Sequence, residues 1–139
     1  MPVSVAKTTG TSTYGHPFVG KVLGLQQVLV DISALTTDEV DADGFLKPGV
    51  PFQKDGTLVS AGSGQFVYAV NPEPIDLHLA TVPPTNTTLG NDTRNYPVGM
   101  GTIGEVNRDI IEDNLGRAIS ANELTAFNAA GSMIHVTNT

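Results

Sequence analysis

From Gly44 to Leu79 the chain reads GFLKPGVPFQKDGTLVSAGSGQFVYAVNPEPIDLHL, and no apolar run in it is long enough for more than a short strand. Phe45-Leu46 runs into Lys47-Pro48-Gly49, Val50 to Phe52 into Lys54-Asp55-Gly56, Thr57 to Val59 into Ala61-Gly62-Ser63-Gly64, and Phe66 to Val70 into Asn71-Pro72-Glu73-Pro74. β-Branched and aromatic residues suit a pleated, half-buried surface, while Pro and Gly punctuate it. This spacing predicts a small β barrel or sandwich. With 15 Gly and 9 Pro among 139 residues, little room remains for long helices, and the length suits one domain with a core of its own. The absence of cysteine removes disulfides, thiolate metal sites and thiol nucleophiles together.

Charge is spread unevenly. The net charge is −7, yet the first acidic residue is Asp31, and only Lys7 and Lys21 precede it. Residues 1–21, MPVSVAKTTGTSTYGHPFVGK, hold isolated apolar side chains at Val3, Val5, Tyr14, Phe18 and Val19. Such a segment offers little apolar area against the entropy of ordering it. It reads as an extended N-terminal arm, with residues 22–139 forming a single β-rich domain. An acidic surface with seven scattered Lys and Arg repels phosphate backbones, which argues against nucleic acid as a partner. No apolar stretch approaches membrane-spanning length and no signal core follows the first lysine, so the reading is a soluble chain without a membrane partner.

Further along, VLGLQQVLVDI from Val22 to Ile32 is apolar enough for a buried strand or a bent strand pair. Ile75, Leu77 and Leu79 alternate with polar residues as a half-solvated strand does. Thr81 to Pro97 reads as a long polar loop. Ala121 to Ala130 is the clearest helix: Ser120 stands at its N-cap, Glu123 completes a capping box, Leu124 and Phe127 share a buried face, and Gly131 is placed to end it. A shorter turn of helix is expected over Asp109 to Asn114, before Leu115-Gly116, and a last strand over Met133 to Val136. The predicted class is α+β, mostly β: a small β-barrel or β-tulip-like domain with one short C-terminal helix and the extended arm.

Motifs that could carry chemistry are incomplete. Gly99-Met100-Gly101-Thr102-Ile103-Gly104 matches G-x-G-x-x-G, but it follows a polar loop and no βαβ pattern surrounds it, so a glycine hinge ahead of a Gly104 to Arg108 strand is the better reading. Glu39-x-Asp41-x-Asp43-Gly44 imitates the first half of a calcium loop, but Lys47 and Val50 fall where later ligands belong. His16, His78 and His135 have no second ligand at metal-binding spacing. Ser63 lacks the glycines of a nucleophile elbow, and the neighbours Glu112-Asp113 read as a wet face. The sequence implies no enzyme, no catalytic residue, no metal and no cofactor.

The order Leu46-Lys47-Pro48-Gly49, then Asp55-Gly56-Thr57-Leu58-Val59, then a valine-rich strand, resembles the head decoration proteins of tailed bacteriophages, the lambda-type capsid-stabilising family. The resemblance continues through Gly104-Glu105-Val106-Asn107-Arg108 and Leu115-Gly116 to the strand at Met133 to Val136, roughly two thirds of the chain at the level of element order. It implies a cement protein on the outer capsid surface of a virion, made in the host cytoplasm, trimeric, partnered by the major capsid protein and stiffening the shell against internal DNA pressure. On that reading Val3, Val5, Tyr14 and Phe18 of the arm contact the capsid. The second choice of contact is the polar loop through Asn86, Asn91, Arg94 and Tyr96. The alternative is a secreted or surface-displayed β module that recognises carbohydrate or protein, with the Asn86-Thr87-Thr88 and Asn91-Asp92-Thr93 triplets in its recognition surface.

Overall fold

The computed structural model describes residues 14–61, 64–77 and 96–137, of which 33% are strand and 17% helix, a mostly β chain with two helices. In order they are β1 (Gly24–Val30), a 3-10 turn (Ile32–Ala34), β2 (Phe45–Leu46), β3 (Pro51–Phe52), β4 (Ala69–Val70), β5 (Ile75–Asp76), β6 (Tyr96–Asn107), α1 (Arg108–Leu115), α2 (Ala121–Phe127) and β7 (Ile134–Thr137). The turn-punctuated middle of the sequence gives two-residue strands, as its short apolar runs require. β6, with 12 residues, is the long element.

β6 organises the main sheet. β1 lies antiparallel to its first half, with Val30 opposite Tyr96 and Leu25 opposite Gly101, and the register shifts between Gly24 and Leu25. The segment before β1 carries the same edge onward: Leu23 N–H donates to Ile103 O at 3.1 Å, Val19 N–H to Glu105 O at 2.7 Å, and Asn107 N–H to Pro17 O at 2.8 Å. On the other edge, Val70 of β4 pairs with Gly101, and β7 runs parallel from Ile134 opposite Gly104 to Thr137 opposite Asn107. β3 extends the sheet beyond β4, while β2 and β5 form a separate two-stranded ladder. Both sheets are open among the described residues, with no closed barrel.

Polar groups inside the fold are bound. Asn114 accepts from Gly15 N–H at 2.9 Å and donates to Gly15 O at 2.8 Å and Pro48 O at 3.2 Å, so one amide ties residue 15 to α1 and to the turn before β3. Fully buried Asn71 accepts from Val50 N–H at 3.0 Å and donates to Lys47 O at 2.7 Å. Around them Phe52, Ile32, Leu35, Leu46, Leu77, Met100, Ile111 and Ile134 make the fully buried core.

Several boundaries differ from the sequence reading. The short turn of helix expected over Asp109 to Asn114 is a full helix, α1, beside the one named in the predicted class: Asn107 caps it by accepting from Asp109 and Ile110 N–H, and Gly116 closes it in the left-handed region. α2 carries the expected Ser120–Glu123 capping box but ends at Phe127; Gly131 packs against the Phe66 ring instead of terminating it. The loop expected to reach Pro97 gives way to β6 at Tyr96, and Gly99 to Gly104 lies inside that strand rather than forming a hinge before it. At Gly101 a side chain would meet Phe18 ring carbons at 2.5 Å and Val22 at 2.8 Å, so glycine there makes room for the segment laid across the strand.

Residues 14–19 are the largest correction, because they belong to the domain and not to an arm. Tyr14 is buried and donates to Asp41 Oδ2 at 2.6 Å, and Phe18 is buried in the main core. Phe18→Ala is therefore expected to cost about 3–5 kcal/mol in urea melts, as loss of a core aromatic does. A loss no larger than that of a surface change would refute this placement.

Candidate interaction surface

The predicted contact residues do not form one site. Tyr14 and Phe18, expected to face a partner, are spent inside this chain. Val3, Val5, Asn86, Asn91 and Arg94 lie outside the described residues. Tyr96 opens β6 half-buried and donates to Asp76 O at 2.7 Å; burial, then the neighbouring Asp76 charge, push its phenol above the ordinary range.

The acidic motif at residues 39–44 serves as internal scaffolding. Glu39 Oε1 accepts from Thr36 N–H at 2.8 Å and from its hydroxyl at 3.0 Å. Asp41 Oδ1 accepts from Asp43 N–H at 2.9 Å and Phe45 N–H at 3.1 Å while Oδ2 takes the Tyr14 hydroxyl. The Glu39 and Asp41 carboxylates are thus turned to backbone and hydroxyl donors of the chain itself. Among the described residues no group of three His, Asp or Glu could hold a metal ion. His16 lies edge-on to Phe18, and His135 is exposed on β7; His78 and Ser63 are outside the described residues.

Glu112 and Glu123, on successive helices, also hold structure. Glu112 accepts from Ile119 N–H at 2.8 Å, the main cause that keeps its carboxyl below the usual range, and from Arg108 at 3.1 Å. At Glu123 burial pushes the carboxyl upward, but the two-pronged Arg117 contact, at 2.8 and 3.0 Å, and the Ser120 N–H together hold it below the usual range.

What the surface does offer is apolar. Val19, Leu23, Ile103 and Met133 line a groove of about 450 Å³, with Lys21, Gly104 and Glu105 at its sides. Leu23 is 70% exposed and Met133 65%. Leu25 and Leu29, four apart on β1 and so on one face of its pleat, are also exposed, while Val28 and Val30 point into the core. These residues include every large hydrophobic that is exposed among the described residues. Such a surface can take apolar side chains out of water, at about 1.5–3 kcal/mol for each one fully buried. Concentrated exposed apolar area of this kind marks interaction sites.

The signal for this surface stood in VLGLQQVLVDI. A strand apolar on both faces is one covered on both faces, and here the domain covers only one.

Compared with known proteins, the chain matches no family model, no curated protein and no solved structure.

The helix-borne ion pair sets an acid dependence. Because the folded Glu123 value lies below the unfolded one, its contribution is complete above the unfolded carboxyl value of about 4.3 and fades as pH falls through the lower folded value. Denaturant melts from neutral pH down into this acid range should show wild type losing more stability than Glu123→Gln, which has no proton to take up at this position. Parallel losses would remove Glu123 as a source of the acid sensitivity.

Proposed function

We propose that this chain is a capsid decoration protein of a tailed bacteriophage, a structural cement on the outside of the head rather than an enzyme. The observation that carries this reading is the exposed apolar surface along residues 19–29 and β6, joined by Met133. It fits a protein that works by contact. The order of sequence elements, which resembles that of the lambda-type decoration family, supports the major capsid protein as the surface contacted. In this reading the open sheets are those of a small barrel or β-tulip-like domain, three copies associate, and residues 1–13, with Val3 and Val5, supply additional capsid contact.

The mechanism is multivalent burial. One copy covering a few side chains gains a modest free energy. Several coat subunits bridged by each trimer, and many trimers per shell, add those gains across junctions that internal DNA pressure would otherwise open. No charge chemistry is required. A net charge of −7 also keeps free copies soluble despite their apolar stripe and disfavours binding to the packaged DNA.

Mixing the chain with undecorated heads of the phage that encodes it, then sedimenting the particles, tests the reading. The expected result is a fixed, saturable ratio of chain to coat protein. Leu23→Ser combined with Met133→Ser should weaken attachment at least tenfold while thermal melting stays close to wild type, since both side chains are mostly in water. Deletion of residues 2–13 should weaken it further. Absence of co-sedimentation by the wild type would overturn the proposal, and full attachment of the double variant would place the contact on another surface.

A further inference from the structure

Further along the segment that lines the groove with Val19 and Leu23, β1 and the turn at residues 53–57 enclose a second concavity of about 550 Å³, lined by Gln27, Leu29, Asp31, Lys54, Asp55, Thr57 and Tyr68 among others. Small-molecule sites commonly have volumes of about 300–1,000 Å³. This one is built with fixed walls. Gln53 N–H donates to Thr57 O at 2.8 Å, Gly56 N–H to Gln53 O at 3.0 Å, and Asp31 N–H to Gly56 O at 2.9 Å, so the turn is closed on itself and pinned to the end of β1. Gly56 has φ +87°, and a side chain there would lie 1.7 Å from Leu29 O; only glycine lets the turn sit this close. Tyr68 is held at both ends, by its N–H to Phe52 O at 2.9 Å and by its hydroxyl to Gln26 Oε1.

The lining selects a ligand class by charge and by shape. Asp31 and Asp55 stand against a phosphate or sulfate, as does the net charge of −7, and Lys54 stands against a cationic ligand. The Lys54 ammonium rests 5.9 Å from the centre of the Tyr68 ring and both side chains line the cleft, so a sugar on that ring face would take the ammonium's place and leave it to donate to a hydroxyl. The polarised C–H groups on one face of a sugar ring are attracted by the same ring quadrupole. Sugar hydroxyls both donate and accept. Around the ring the cleft supplies an acceptor in Asp55, a donor in Lys54 and both in the Gln27 amide.

We propose that this cleft is a binding site for a neutral saccharide, with one sugar face on the Tyr68 ring and hydroxyls on Gln27, Lys54 and Asp55. Because turn and ring are set before binding, little ordering cost falls on the protein. The cleft shares Leu29 with the apolar surface along residues 19–29, but saccharide binding is read on the free chain and is tested separately from attachment to heads.

Amide NMR of the full chain, titrated with maltotriose, cellotriose and triacetylchitotriose to about 10 mM, where a site with a Kd of about 1 mM is mostly filled, tests it. At least one of the three should give saturable shifts centred on residues 27, 54, 55 and 68. Tyr68→Leu and Gln27→Ala should each weaken that binding, the former at least tenfold, and Gln27 is exposed so that its variant keeps the fold. Should Tyr68→Leu fail to fold, Gln27→Ala and Lys54→Ala decide. No saturable shift with any of the three, shifts centred elsewhere, unchanged affinity in the variants, or equal binding of a sulfated oligosaccharide would each overturn the assignment.

Discussion

Everything in this domain is arranged around the hydrogen-bonding capacity of β6. A strand has two edges, and a long one placed centrally must find backbone partners along both or bury unpaired amides and carbonyls. Here one edge is taken by residues 17–30, the other by Val70 and then by β7. The partners come from the start, the middle and the end of the described chain. α1 follows from the same strand without a loop, because Asn107 pairs with Thr137 and Pro17 through its backbone while its side chain caps the helix. Two-residue strands such as β3 and β4 cannot persist alone; their Phe52, Ala69 and Val70 join Met100 and Val106 in one continuous core, which gives them their order.

The local features were legible in the sequence because their causes are local. A Ser120 side chain can reach only the next turn, so S-x-x-E at the head of an apolar-periodic run marks a helix start, and Asp43-Gly44 or Asp55-Gly56 mark turns in the same way. Of β6 only the end was legible, as the strand expected over Gly104 to Arg108; the rest was not, because the paired residues of β1 lie 66 to 79 residues away in sequence. Gly99, Gly101 and Gly104 look like a break when read alone. They become intelligible only when Phe18 and Val22 lie against Gly101. Tyr14 and Phe18 illustrate the converse. Surrounded by Thr, Ser and Gly they read as stray apolar residues on a tether, and what orders them is a carboxylate at Asp41, an amide at Asn114 and a ring-sized gap at Gly101.

The candidate surfaces were legible to different degrees for a related reason. The apolar character of residues 22–32 was plain, but which face of the strand the domain itself would cover depends on the register with β6, and a one-residue slip exchanges the faces. In the observed register Val28 and Val30 go inward, leaving Leu25 and Leu29 outside. The acidic residues misled in the opposite sense. Glu39 and Asp41 read as half of a calcium loop and Glu112 as part of a wet face, yet each accepts from main-chain donors, as Glu123 does in the capping box that was legible.

One consequence links the groove to the fold. Val19, Lys21 and Leu23 line it from the same segment whose neighbours Pro17 and Phe18 are locked onto β6, and Ile103 and Glu105 line it from β6 itself. A partner seated there would touch both sides of one backbone ladder, the side formed early in the chain and the side formed late. Any opening that lifts residues 17–23 from β6 destroys the groove, so a ligand of the groove binds only the closed form and adds its binding free energy to the closing equilibrium. Attachment and stability are therefore coupled through the same few hydrogen bonds. On the proposed reading, a protein that reinforces a shell would itself be reinforced by the contact, most strongly at the edge where its first described residues join the sheet.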